Sequence, residues 1–130
     1  MKKFYVGVIA VIGLAISANI MAADMPKLAK EGNYCSQCHK MDKKSIGPSW
    51  TDVSKFYNGK IERTPIGITI QQATGGLPVE EFLVKKVSIG GHGNWGSQPM
   101  LANDYVYHQT SEVKQNEITE LIKFILNLAK

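Results

Sequence analysis

The sequence predicts an all-α fold of about four helices, with a longer loop near residues 57–78. Three observations carry this expectation. Near the C-terminus Ile118, Leu121, Ile122, Ile125 and Leu128 recur at helical spacing, an apolar stripe with Phe124 beside it. Residues 78–86 open with Pro78, Glu80 and Glu81 and close with Lys85 and Lys86, the charge order that complements a helix dipole. Trp50, Val53 and Phe56 also fall at helical intervals.

Taken in order, the chain begins with Lys2 and Lys3, an apolar run over residues 6–20, and Met21-Ala22-Ala23 before polar Asp24. A positive start, an apolar stretch and small residues at its end predict a secretory signal peptide over residues 1–23, cleaved after Ala22 or Ala23. A membrane-spanning helix wants about 20 apolar residues. This run is shorter and contains Gly7, Gly13, Ser17 and Asn19, which favours cleavage over an uncleaved anchor. Residues 24–130 then make one domain, exported to the periplasm, with no stable membrane insertion.

Within that domain the first helix is expected over about 25–34, with Pro26 in its first turn. The second is expected over 51–57. Residues 57–78 carry Gly59, Pro65, Gly67, Gly75, Gly76 and Pro78 and should be mostly loop. Inside it, Ile66-Gly67-Ile68-Thr69-Ile70 alternates enough for a short extended piece. The third helix covers 78–86, and the last starts near Ser111 or Asn116.

The precursor's formal charge is +4. Without Lys2 and Lys3 the domain keeps 13 basic against 11 acidic side chains, a balance of +2. That excess is too small to suggest nucleic-acid binding, and basic strands interleaved with aromatics are also missing.

The chemistry concentrates in Tyr34-Cys35-Ser36-Gln37-Cys38-His39, which holds both cysteines of the chain. Three readings compete. A C-x-x-C-H run is the attachment motif of a c-type haem. On the first turn of a helix, two thiols at this spacing each add to one vinyl group of a single haem, and His39 offers its imidazole to the iron. A thioredoxin-like dithiol also uses C-x-x-C, but expects a βαβ setting; the residues before Cys35 look helical instead. A structural zinc site needs four ligands. His92 and His108 would have to complete it, at spacings that match no familiar zinc module. Haem explains all three residues. Two propionates would bring the mature charge near zero.

Haem iron in electron carriers usually takes a Met thioether opposite its His. The mature chain offers Met25, Met41 and Met100. Met25 precedes the first helix, and Met41 stands two residues after His39, too close to reach the opposite face. Met100 lies 61 residues beyond His39, at the end of Gly93-Asn94-Trp95-Gly96-Ser97-Gln98-Pro99. A glycine-rich loop leaves room beside a macrocycle, and Pro99 stiffens the backbone next to the ligand. His92 and His108 read as surface residues. Should Met100 be displaced, His92 is the nearest replacement.

At these residues the chain resembles the class I monohaem cytochromes c, especially the small bacterial c-551/c-552 type. The resemblance spans about residues 28–130 through motifs in the family's order. Cys35-Ser36-Gln37-Cys38-His39 resembles the haem-binding motif, and Ile46-Gly47-Pro48-Ser49-Trp50 resembles the segment that follows it. The run from Lys86 to Met100 is similar to the family's tryptophan-glycine segment ending in Pro-Met, and Glu117 to Leu128 resembles the closing helix.

The resemblance implies a cytochrome c fold packed around one covalently bound haem c, with His39 and Met100 on the iron. It implies that the Pro48 carbonyl fixes the His39 ring through Nδ1–H, and that the Trp95 indole N–H meets a buried propionate. Lys86 stands where compact members often place a basic residue near a propionate, although Lys85 could take that place. Two departures stand out: Lys30 occupies a position often aromatic, which Leu28 and Tyr34 could fill, and the 57–78 segment is longer than in compact members. That segment either covers a haem edge or docks a partner.

The function expected is one-electron transfer in a respiratory chain, between redox partner proteins that are soluble or membrane-bound, a reductase or an oxidase. Paired carboxylates, an activated nucleophile and a phosphate loop are all missing, so the chain does not read as an enzyme. Lys40, Lys43 and Lys44 could ring an exposed haem edge and steer an acidic partner. The rival readings are a peroxidase-like haem enzyme or a gas-binding sensor with a labile sixth ligand. The haem should also complete the small core, so the apoprotein is expected to fold poorly.

Overall fold

Among residues 25–102 and 111–130, which a computed structural model describes, the chain forms five α-helices. The segment expected to be a signal peptide, residues 1–23, and His108 lie outside the described residues. The helices are α1 (Tyr34–Cys38), α2 (Trp50–Tyr57), α3 (Ile70–Thr74), α4 (Val79–Ile89) and α5 (Ser111–Asn127). No strand forms among the described residues; a lone antiparallel bridge joins Gly91 to Met100. The fold is all-α, as expected.

The first expected helix is corrected. Residues 25–34 do not form one: a short 3-10 turn, Lys27–Ala29, follows an extended Pro26, and α1 begins only at Tyr34. Gly32 at φ 84° cannot continue a right-handed helix, so the chain turns there and helix forms over the cysteine motif itself. The turn still serves the core. Leu28 and Ala29 are buried, and Leu28 is among the most deeply buried side chains of the described residues.

Helix α2 starts one residue earlier than the spacing suggests, because Ser49 caps it: the Ser49 hydroxyl accepts the Asp52 N–H at 3.0 Å. The 57–78 segment is more ordered than expected. It contains α3, which opens with a capping box between Thr69 and Gln72 and ends at left-handed Gly75. Ile70 belongs to that helix and Ile66 to a turn, so the alternating run is not an extended piece. Local capping outweighs the weak period-two pattern. Helix α4 runs three residues past Lys86 and stops at Gly90, whose N–H closes on the Lys86 carbonyl at 2.8 Å.

Helix α5 is the spine of the molecule. Ile118, Leu121, Ile122 and Ile125 are buried against α2, α4 and the 27–29 turn. Full burial of each such side chain contributes about 1.5–3 kcal/mol. Polar ties fix its register. Lys27 Nζ meets Glu117 at 2.8 Å, Asn58 Nδ2 donates to the Leu126 carbonyl at 2.8 Å, and the Ala129 N–H reaches Ser54 Oγ at 3.0 Å. With α5 seated in this way, the opposite flanks of α2 and α4 are left to line a cavity.

Candidate functional site

That cavity, about 570 Å³, is lined mainly by apolar side chains and brings together residues far apart in sequence. Cys35, Cys38 and His39 reach it from the N-terminal part. Trp50 and Tyr57 contribute from α2, Leu83, Lys86 and Val87 from α4, and Leu121, Ile122 and Ile125 from α5. Trp95, Pro99 and Met100 close it from the 91–100 loop. Its volume falls within the roughly 300–1,000 Å³ typical of cofactor sites.

The His39 wall is built in detail. Cys35 and Cys38 are three apart on α1, so a helical turn puts them on one face. The His39 Nδ1 lies 2.8 Å from the Pro48 carbonyl oxygen. A carbonyl only accepts, so Nδ1 carries the proton and Nε2 keeps its lone pair. Burial holds the imidazole below its ordinary pKa, opposed in part by the Pro48 bond, and so favours the neutral form a metal requires. The ring stacks on Trp50, with centroids 6.2 Å apart and planes 14° from parallel. Its other constraint is Gly47. A Cβ there would sit 2.6 Å from His39 Cε1, so glycine leaves the ring its place.

The Met100 wall is made of backbone. Gly91 N–H donates to the Met100 carbonyl at 2.9 Å, and Met100 N–H returns the bond at 2.8 Å. Gly93 N–H closes on Gly96 at 2.9 Å, giving a pinched loop over 91–100. Gly90, at φ 70° and ψ −156°, lets the chain pass close to the Met100 and Leu101 backbone. Met25, Met41 and Met100 all pack at the edge of the hydrophobic core, but of the three Met100 alone lines the cavity.

Of the other residues singled out in the sequence, Lys86 lines the cavity, whereas Lys85 lines a shallow groove beside Ser88 and Gln115. Burial lowers the Lys86 pKa, and the one ion pair among the described residues is Lys27–Glu117. His92 sits exposed at the cavity rim. Trp95 packs edge-on against Phe56, with centroids 5.5 Å apart. The Tyr57 hydroxyl lies within reach of the Trp95 and Asn94 side chains, which oppose the rise that burial gives its pKa. An indole can only donate, so in this contact the Tyr57 oxygen accepts. Sequence reasoning missed Tyr57, Asn94 and the packing role of Gly47; a tyrosine on an apolar helix face carries no signal of such a contact.

The donor set suits a covalently held haem: two thiols, a neutral imidazole with a free Nε2, a thioether and a cation, all on one apolar cavity. Sequence comparison agrees. The chain is 31% identical over 128 residues to cytochrome c-552 of Hydrogenobacter thermophilus, covering 98% of this chain and 99% of that one. It is 30% identical over 106 residues to cytochrome c-551 of Allochromatium vinosum, with 82% and 86% covered. A cytochrome c2 of Rhodocyclus tenuis is 32% identical over 99 residues, 72% and 82% of the two chains. No protein-family model matches.

The chain therefore belongs to the small class I c-type cytochromes, electron-carrying proteins with covalently bound haem c. Among solved structures, cytochrome c552 of Nitrosomonas europaea aligns at a TM-score of 0.49 with 24% identity, covering 72% of this chain and 88% of that one.

Proposed function

We propose that the protein is a periplasmic one-electron carrier whose haem is attached through Cys35 and Cys38 and ligated by His39 and Met100. The observation that carries this reading is the meeting of these four side chains on one apolar cavity, although Met100 lies 61 residues from His39. Bound haem supplies a one-electron Fe(III)/Fe(II) couple.

The chain's residues supply everything else. Pro48, Gly47 and Trp50 hold the His39 ring in one orientation and one tautomer. The Gly91–Met100 bridge restrains the second ligand. With both ligands restrained, little must reorganise when the charge changes, and no iron position is left open for substrate. Lys86 offers a propionate a half-buried cation. Lys43 and Lys44 stand exposed, Lys44 at the cavity rim, where they would steer an acidic partner; Lys40 instead donates to the Ser36 carbonyl at 2.8 Å. Export is supported by the leader features of residues 1–23.

The test is an absorption spectrum of protein matured in a host that attaches c-type haem. Haem that survives acid–acetone extraction, low-spin reduced bands and a weak far-red band lost in Met100→Ala are expected. A high-spin spectrum in the unaltered protein would replace the carrier with a ligand-binding or peroxidase-like protein.

A further inference from the structure

The 57–78 segment is tightly built at one point. Between Thr64 and Ile68 the chain forms a closed turn. Thr64 N–H donates to the Ile68 carbonyl at 2.9 Å, Gly67 N–H to the Thr64 carbonyl at 2.8 Å, and Ile68 N–H to Thr64 Oγ1 at 3.2 Å. Arg63 Nη1 adds a bond to the Gly67 carbonyl at 2.9 Å. Thr64, at the base, is 4% exposed, so the turn is anchored and not a free tip.

Behind the turn, α3 buries Ala73 and Thr74, and Asn94 Nδ2 bonds the Ala73 carbonyl at 3.3 Å. This couples the segment to the loop that bears Trp95 and Met100. The two residues presented by the turn, Pro65 and Ile66, line the cavity. Ile66 is 50% exposed in the protein alone, although four hydrogen bonds hold the turn that carries it. Ile46 and Leu101, also largely exposed, line the same cavity, whereas Ile89 does not. Exposed apolar side chains gathered on one cofactor cavity have an obvious surface to cover.

We propose that the 64–68 turn is a wall of the haem site, in which Pro65 and Ile66 exclude water from one edge of the cofactor and thereby raise its reduction potential. This rests on the haem reading above. The oxidised iron–porphyrin core carries one more positive charge than the reduced one. An apolar wall in place of water disfavours the charged state, and the solvent access of the site sets the potential. The 64–68 turn is then a tuning device of the carrier.

The experiment measures the potential by spectroelectrochemistry in the full holoprotein and in Ile66→Ser, Ile66→Leu and Ile89→Ser. Covalent haem content and far-UV spectrum are recorded for each. Ile66→Ser should hold its haem and its fold, and its ferrous-to-ferric ratio at fixed ambient potential should fall roughly three- to tenfold; tenfold is about 59 mV for one electron. Ile66→Leu should stay near the unaltered value, and Ile89→Ser should not shift. Pulsed EPR of the ferric protein in deuterated water should show closer solvent deuterons in Ile66→Ser alone. Unchanged potential in Ile66→Ser with haem attached overturns the wall, as does an equal shift in Ile89→Ser. A slower reaction with a partner protein at unchanged potential would also overturn it and make the turn a docking contact. Failure of the unaltered chain to attach haem overturns both this inference and the reading beneath it.

Discussion

The two cavity walls that carry His39 and Met100 are built by different means. His39 is held by side-chain packing and one directed bond: Trp50 on its face, Gly47 against its edge, Pro48 on Nδ1. Met100 is held by backbone pairing with Gly91, in a loop whose residues 97–99 are exposed. Packing fixes an aromatic ring because every displacement meets atoms. A flexible thioether is restrained mainly through where its backbone runs. The His39 wall should therefore resist change that the Met100 wall registers, and the Met100 wall should depend on glycines.

The sharpest break is Gly90→Ala. Its φ of 70° with ψ of −156° suits glycine almost alone, and a Cβ there would collide with the Met100 carbonyl and lie 2.8 Å from the Ala102 nitrogen. Strain and a backbone clash together should cost about 3 kcal/mol. Denaturant midpoints measure this, and the far-red band should weaken while the haem stays attached. An unchanged midpoint would mean that the bridge does not restrain the loop.

Gly47→Ala attacks the other wall. The added Cβ presses on His39 Cε1 and Nδ1, at 2.6 and 2.9 Å, so the ring must turn away from Pro48. Because the clash is with a side chain and the backbone is not left-handed, a smaller loss of about 1–3 kcal/mol is expected. Here the far-red band should persist, with NMR signals of the His39 ring displaced. If both glycine variants damaged the same ligand, the contrast between the walls would fail.

The smallest effect belongs to Tyr57→Phe, which removes the acceptor facing Trp95 while Asn94 keeps the Ala73 carbonyl, and should cost about 1 kcal/mol. It also carries a pH signature. Burial pushes the Tyr57 hydroxyl above its usual 10.0, so the unfolded chain loses this proton first as pH rises. Stability should then fall as pH climbs through about 10, and this part of the slope should vanish in the variant. Equal alkaline slopes for the two proteins would show that the hydroxyl is not buried.

Much of this contrast was already legible in the residues. Cys35, Cys38 and His39 are adjacent in sequence, so their chemistry needed no fold, and Met100 followed from excluding two methionines with unsuitable positions. The C-terminal stripe predicted the burial of Ile118, Leu121, Ile122 and Ile125, whereas Leu128 lies past the end of α5 and is half-buried. The expected helix over 25–34 failed because a single left-handed glycine outweighs a helical composition. The 57–78 segment looked like loop because its glycines and prolines mask α3, whose capping box is a short-range signal.

The sequence by itself determined the all-α class, the haem chemistry and the candidate ligands, since periodicity and motif spacing are local properties. Only the tertiary structure decided that Lys86 and not Lys85 lines the cavity, that Trp95 packs edge-on against Phe56, and that Pro65 and Ile66 stand at the cavity edge. Those facts depend on how α4, the 91–100 loop and the 64–68 turn meet around α5. Such meetings are set by packing between residues distant in sequence, and spacing along the chain carries no record of them.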